Sequence, residues 1–257
     1  MIREGTGEPL VLLHGVLCSE RVWRRVVPYL TPHHDVIALT ALGHRGGNIA
    51  KPSTTISDLV DDIEATLDRL GVEKAHLAGN SMGGWMAIEL ARRGRAKSVC
   101  ALSPAGCWDR STGDQHHIVD KLRSIEKLTE RTRWALPALA RIGIVRRFAM
   151  RDNAVRGDRL TSQEVIDMAD DLLGCHARDD LLRITDKLTP LDLLPCPMML
   201  AWSECDEVIP PDVNGVHART LFPQAEWRVL PKVGHIPMAD NPKLVADTIL
   251  ESIQQAV

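Results

Sequence analysis

The sequence predicts an α/β protein: a mainly parallel sheet with helices on both faces, carrying an inserted run of helices. Three observations predict it. Short apolar runs that read as strands alternate with amphipathic runs that read as helices, the order that builds a parallel sheet. The strand runs are continuously apolar, as strands covered on both faces are. Residues 107–188 break the alternation, with helical periodicity and no convincing strand signal.

The elements follow in order. PLVLLHG (9–15) is an apolar run ending at glycine, a buried strand and its turn. In 19–30, Val22, Trp23, Val26, Val27 and Leu30 recur at helical spacing behind Ser19, a ready N-cap. DVIALT (35–40) is the second strand. In 54–72, Ile56, Leu59, Val60, Ile63, Leu67 and Leu70 form one helical stripe that Gly71 terminates. Strand 74–80 runs into helix 81–94, and 96–104 is the fourth strand. Within 107–188 the helical segments include 128–142 and 161–177, and 134–150 reads as an amphipathic helix broken near Pro137 and Gly143. Strands 197–203 and 226–231 and helices 211–221 and 241–253 complete the chain. This divides it into a core, residues 1–106 and 189–257, and a helical cap, residues 107–188. An insert at that point sits over the carboxyl end of the sheet, where ligands bind in open α/β folds.

Composition narrows the function. A chain of 257 residues is long enough to bury a substantial core, and 44% apolar with 25% charged residues is ordinary for a globular protein. The formal charge of −3 gives no reason to expect nucleic acid. No apolar run approaches the roughly 18 residues of a membrane span, so stable membrane insertion is not expected. The first residues, MIREGTGEP, contain no apolar leader region, and six scattered cysteines without a CxxC pair read as reduced thiols. A cytoplasmic protein is the expectation. Self-association is left open.

One stretch carries chemistry. In AGNSMGG (78–84), Ser81 stands at the junction of a strand and a helix, with Gly79 and Gly83 two positions to either side. Such a junction forces a sharp turn, and the glycines relieve its crowding. The turn lifts the hydroxyl above the sheet and aims the first helix N–H groups, which carry partial positive charge, at whatever binds there. This is G-x-S-x-G in a strand–turn–helix context.

With that stretch and three more in chain order, the sequence resembles the α/β-hydrolase fold superfamily over nearly its whole length outside the insert. His14-Gly15-Val16-Leu17 follows the first clear strand. The resemblance implies an oxyanion hole from the backbone amides of Val16 and Met82, two donors aimed at one point. Losing one such donor costs about 3–4 kcal/mol in a studied hydrolase. WSECDEVIP (202–210) matches the strand–loop–Asp pattern and implies Asp206 as the triad carboxylate; Glu204, Glu207 and Asp109 are competitors. KVGHIPMADNP (232–242) places His235 after the last strand, where the base is kept. The order Ser81, Asp206, His235 is that of the fold.

The resemblance therefore implies a serine hydrolase that cleaves an ester or related acyl bond of a small, largely apolar substrate through an acyl-enzyme. It needs no organic cofactor and no metal. The pairs His33-His34 and His116-His117 lack the Cys, His or carboxylate company of a metal site and read as surface residues. Alternatives stay open. Asn80 in GNSMGG is shared with hydrolases that cleave C–C bonds of ring-fission diketones. A cofactor-free haloperoxidase-like side reaction is a second, and a ligand-binding receptor that retains a slow triad is a third. A serine in place of aspartate at the elbow disfavours epoxide hydrolase and dehalogenase chemistry.

The chain begins about eight residues before the HG strand, so a shorter sheet edge than usual is expected. The loop TALGHRGG (40–47) reads as structural. Leu17, Asn80, Trp134, Leu139, Ile144 and Phe148 are the expected substrate-pocket residues; packing of the cap onto the core is the plainer reading of the last four. The arginines around 141–159 make the segment basic, a solvated face or a site for an anionic ligand or surface.

Overall fold

The computed structural model describes residues 1–108 and 114–255, with no side-chain description at 114, 115 and 117. Seven strands form one sheet: β1 (Ile2–Glu4), β2 (Glu8–Leu13), β3 (His34–Leu39), β4 (Ala75–Asn80), β5 (Ala96–Leu102), β6 (Met198–Ser203) and β7 (Glu226–Leu230), in the order β1-β3-β2-β4-β5-β6-β7. Every neighbouring pair is parallel except β1 with β3. The antiparallel edge strand is three residues long.

The continuous apolar character of the strands has a direct structural cause. Side chains alternate faces along a strand, and both faces are covered. Along β2, Val11 and Leu13 enter a core shared with Leu59, Ile63, Trp85 and Ile88. Leu10 and Leu12 enter a second core with Trp23, Leu30, Val245 and Ile249. The first face is covered by α2 (Ile56–Arg69) and α3 (Met82–Arg92), the second by α1 (Val27–Leu30) and α11 (Pro242–Gln254). Thr55 and Asp58 close a reciprocal capping box at the start of α2.

Residues 19–30, expected as a single helix, are divided, and residues 128–142 break at Pro137, where a break is expected. Residues 19–30 form a 3₁₀ turn over Glu20–Trp23 and then α1, with Pro28 in its first turn. Residues 128–142 are split between the end of α4 (Asp114–Thr132) and α5 (Leu136–Leu139), with Pro137 in the first turn of α5. Proline lacks the N–H that a continuous helix needs at these positions, and its ring clashes with the preceding turn. It therefore starts a helix rather than extending one.

Between β5 and β6 lie α4, α5, α6 (Gly143–Ala149), α7 (Ser162–Leu173) and α8 (Arg178–Leu181), with no strand among the described residues there. Helix α7 is tied to the turn after β2 by a row of ion pairs: Arg25–Glu164 at 2.5 Å, Arg24–Asp167 at 3.1 Å and Arg21–Asp171 at 3.1 Å. Glu164, Asp167 and Asp171 recur at the spacing of one helix face. The row anchors the helical segment to the stretch that follows β2. Helices α9 (Val216–Leu221) and α10 (Pro237–Asp240) complete the set. No helix among the described residues is long and apolar enough to cross a membrane.

Candidate active site

Ser81 is the N-cap of α3, directly after β4, with φ 56° and ψ −119°. A non-glycine residue there is strained by about 1–3 kcal/mol. Hydrogen bonds on both sides of its backbone hold it. The Ser81 N–H donates to Leu102 O at 2.9 Å, and Ser81 O accepts from Trp85 N at 3.1 Å and Ala105 N at 3.0 Å. Side chains at the flanking glycines would destroy the turn. A Cβ at Gly79 would run into the Gly83 carbonyl, and one at Gly83 into the Leu13 carbonyl.

The loop after β2 lies against this turn, so close that a Cβ on Gly15 would sit 3.2 Å from the Ser81 Cβ. His14 fixes the loop. Its Nε2 accepts the Ala41 N–H at 3.0 Å, so Nδ1 carries the proton and donates to Gly15 O at 2.7 Å. Burial pushes the His14 pKa down to about 4, which keeps the ring neutral near pH 7. His44, from the 40–47 loop, packs edge-on against it at 4.9 Å. Leu17 completes the turn with φ 64°. Val16 and Met82 border the same cavity as Ser81. Among the described residues neither of their backbone N–H groups donates elsewhere, so both are free to meet a charge forming beside Ser81.

His235 and Asp206 are both buried and joined. The His235 Nδ1 donates to Asp206 Oδ2 at 2.8 Å and lies 3.0 Å from Oδ1. Asp206 Oδ1 also accepts the Val208 and Ile209 amides at 2.9 and 2.8 Å, so the carboxylate is oriented by its own loop. With Nδ1 engaged, Nε2 is the ring nitrogen left to handle a proton. His235 and Ser81 border one cavity, without a closed hydrogen bond between their side chains.

Two buried side chains hold the His235 loop. Asn80 Nδ2 donates to His235 O at 2.9 Å and to Leu102 O at 3.3 Å. Asp240 accepts from Gly234 N at 2.8 Å, Val155 N at 3.0 Å and Arg156 N at 2.6 Å. That carboxylate stitches the loop to the chain preceding α7. Of the rival acids, Glu204 accepts the Lys232 amide at 2.8 Å, from the turn that follows β7. Glu207 is not on the cavity wall, and Asp109 lies outside the described residues.

The cavity above Ser81 is about 70 Å³ and largely apolar, walled by Trp85, Trp108, Ile118, Leu122, Leu181 and Ile209 among others. Trp85 and Trp108 meet edge-to-face at 5.7 Å. A second cavity of about 160 Å³ adjoins it across Leu122, which lines both. The expected pocket residues divide accordingly. Leu17 and Phe148 line the second cavity. Asn80 is buried behind His235. Trp134, Leu139 and Ile144 are exposed and line neither cavity.

Several wall residues escaped the sequence reading. Trp85 was within reach of it, one helical turn after Ser81, as were Val208 and Ile209 beside Asp206. Ile118, Leu122 and Leu181 come from the helical segment, and no local pattern announces their direction. His34, expected on the surface, is buried, its Nδ1 3.3 Å from Glu8 O and its ring edge-on to His76. Among the described residues no group of three His, Cys, Asp or Glu could hold a metal ion.

Comparison with known proteins gives a consistent picture. A family described as "Alpha/beta hydrolase family" matches residues 10–248. An epoxide hydrolase, EphH, from Mycobacterium tuberculosis is 31% identical over 201 residues, covering 77% of this chain and 94% of that protein. The dihydrolipoyllysine-residue acetyltransferase component of an acetoin cleaving system from Pseudomonas putida is 28% identical over 253 residues. That match spans 97% of this chain but only 64% of that protein. A thermophilic esterase from Thermogutta terrifontis shares the fold, with a TM-score of 0.75 at 24% identity, covering 99% of this chain and 92% of that one.

Proposed function

The chain belongs to the alpha/beta hydrolase family, and on that premise we propose a serine hydrolase that cleaves a carboxylic ester, or a related acyl bond, of a small apolar substrate. The observation that carries the reading is the company around one cavity. Ser81 on its strained turn, His235 backed by Asp206, and Val16 and Met82, whose amides have no other partner among the described residues, all border it. In the proposed cycle His235 Nε2 takes the Ser81 proton as the hydroxyl attacks the carbonyl carbon. The two amides hold the oxyanion. His235 returns the proton to the leaving alcohol, and water repeats the sequence on the acyl-enzyme. Residues 107–188 act as the cap that closes the cavity. A cavity of about 150 Å³ holds benzene, so about 70 Å³ suits a short acyl group.

One relative favours a second reading, since EphH is named an epoxide hydrolase. Serine at the elbow argues against it. Attack by Ser81 on an epoxide carbon would form an ether, which offers no carbonyl for water to attack and no oxyanion to stabilise. An aspartate would form an ester instead.

A panel of p-nitrophenyl esters of increasing acyl length, with an aryl epoxide alongside, tests both readings. Ser81→Ala should lower ester turnover by about 10⁴-fold or more, the native protein should prefer short acyl chains, and a fluorophosphonate should label Ser81. Equal ester hydrolysis by Ser81→Ala would refute the proposal. Epoxide opening that survives Ser81→Ala, with esters untouched, would replace it by the second reading.

A further inference from the structure

The stretch from Arg131 to Arg151 contains six arginines and no carboxylate, in a chain whose net charge is −3. Two of the six are used inside the fold. Arg133 pairs with Asp170 at 2.5 Å, and Arg146 donates to the carbonyls of Ala140 and Asp158. Arg151 stacks over the Phe148 ring at 4.3 Å. Arg151 also pairs with Asp152 at 3.8 Å. Arg131, Arg141 and Arg147 are exposed and form no salt bridge among the described residues, although Asp158, its pKa lowered first by the hydrogen bond from Arg156, is lowered further by the Arg147 charge. Interleaved with them are large apolar side chains open to solvent: Trp134 at 85%, Ile144 at 70%, Phe148 at 62% and Ile142 at 51% exposure. Scattered single apolar residues are normal on a surface. Four within fifteen residues, set among unpaired cations, form a patch that asks for a partner.

We propose that this face, α5, α6 and the turns around them, docks peripherally on an anionic lipid surface. Apolar side chains at the headgroup–acyl boundary and arginines at the phosphates are the pattern by which amphipathic segments lie on such a surface. Charge decides the occupant. A neutral apolar partner would strip water from three arginines without compensation, whereas lipid phosphates complement them. The same face reaches the second cavity. Its lining includes exposed Leu128 and Phe148, and also buried Leu17 and Ile236, the chain neighbours of Val16 and His235. A docked molecule would thus hold the outer wall of that cavity against the bilayer. Docking itself does not depend on the proposed hydrolysis.

The test is co-sedimentation of the full chain with vesicles of phosphatidylcholine alone and of phosphatidylcholine mixed with phosphatidylglycerol, at low and high salt. The chain should pellet with the mixed vesicles at low salt and be released by high salt. Each arginine replaced by glutamine should lower partitioning about fivefold, and Arg131→Gln, Arg141→Gln and Arg147→Gln together about 100-fold. Trp134→Ser should lower it about tenfold. Melting curves and vesicle-free ester hydrolysis on the same preparations check folding, and keep loss of catalysis separate from loss of docking. Failure of the native chain to pellet with mixed vesicles at low salt would overturn the proposal. So would undiminished pelleting of the triple variant. A stable dimer that Ile144→Glu disperses, with no lipid binding, would give the patch to a second copy instead.

Discussion

Asn80→Ala should impair the enzyme by freeing His235, not by weakening substrate binding. Asn80 is 2% exposed and its amide nitrogen donates to two buried carbonyls. The Leu102 carbonyl retains the Ser81 amide at 2.9 Å after the substitution. The His235 carbonyl has no such second donor among the described residues and is left unsatisfied. That costs about 1–3 kcal/mol, which for a chain of this size lowers the melting temperature by roughly 2–12 °C. The loop carrying the His235 imidazole absorbs the strain. A shift in its position that raises the barrier by about 1.4–2.7 kcal/mol slows kcat by about 10- to 100-fold. Steady-state kinetics on the preferred p-nitrophenyl ester, with thermal melts on the same samples, measures both. The reasoning predicts a fall in kcat at nearly constant KM. A rise in KM with kcat intact would instead make Asn80 a substrate contact. A lower melting temperature with both constants unchanged would show that the lost hydrogen bond never reaches the imidazole.

Asp206→Asn should lower kcat by about 10⁴-fold, the size of the effect in a serine protease. The Val208 and Ile209 amides still demand an oxygen at the Oδ1 position, so the new NH₂ faces His235 Nδ1 and drives the ring proton to Nε2, where it cannot accept one from Ser81. Activity within tenfold of native would contradict this. Stability should fall on acidification. His14, ordinarily near 6.5 but held at about 4 by burial, takes up its proton less readily folded than unfolded. Above pH 6.5 both states are neutral and nothing is lost. Between pH 6.5 and 4 the unfolded chain gains protons that the folded one refuses, which costs the fold about 3 kcal/mol. His44, held at about 3 by the same cause, adds in the same direction. His14→Gln should show a shallower fall of denaturation free energy over that range, and a slope identical to native would sink the argument.

The parts of the site that were legible in the sequence are local in the chain. Gly79 and Gly83, on either side of Ser81, announce a strand-to-helix turn because a Cβ at either would strike backbone. His14-Gly15 ends β2 where a loop must face that turn. Asp206 and His235 follow β6 and β7, and a parallel sheet brings the carboxyl ends of its strands to one edge. Pro137 and Gly143 are equally local signals, and the chain does break there; Pro28 is as local, but the apolar periodicity running across it outweighs its signal, so the pattern of 19–30 reads as one helix.

Tertiary structure decided what depends on direction. Trp134, Leu139 and Ile144 have the same apolar character as Trp85, Trp108 and Leu122, yet the first three are exposed and the last three wall the cavity. Asn80 grips a carbonyl 155 residues away, a contact that no local pattern announces. Composition and periodicity report that a side chain prefers apolar company, and they are set by neighbours in the chain. Which way that side chain points depends on how α4 to α8 rest on the sheet, through contacts such as Arg25 with Glu164 and Asp240 with the Val155 and Arg156 amides. Those contacts join residues 84 to 139 positions apart, so the information they carry exists only once the chain has folded.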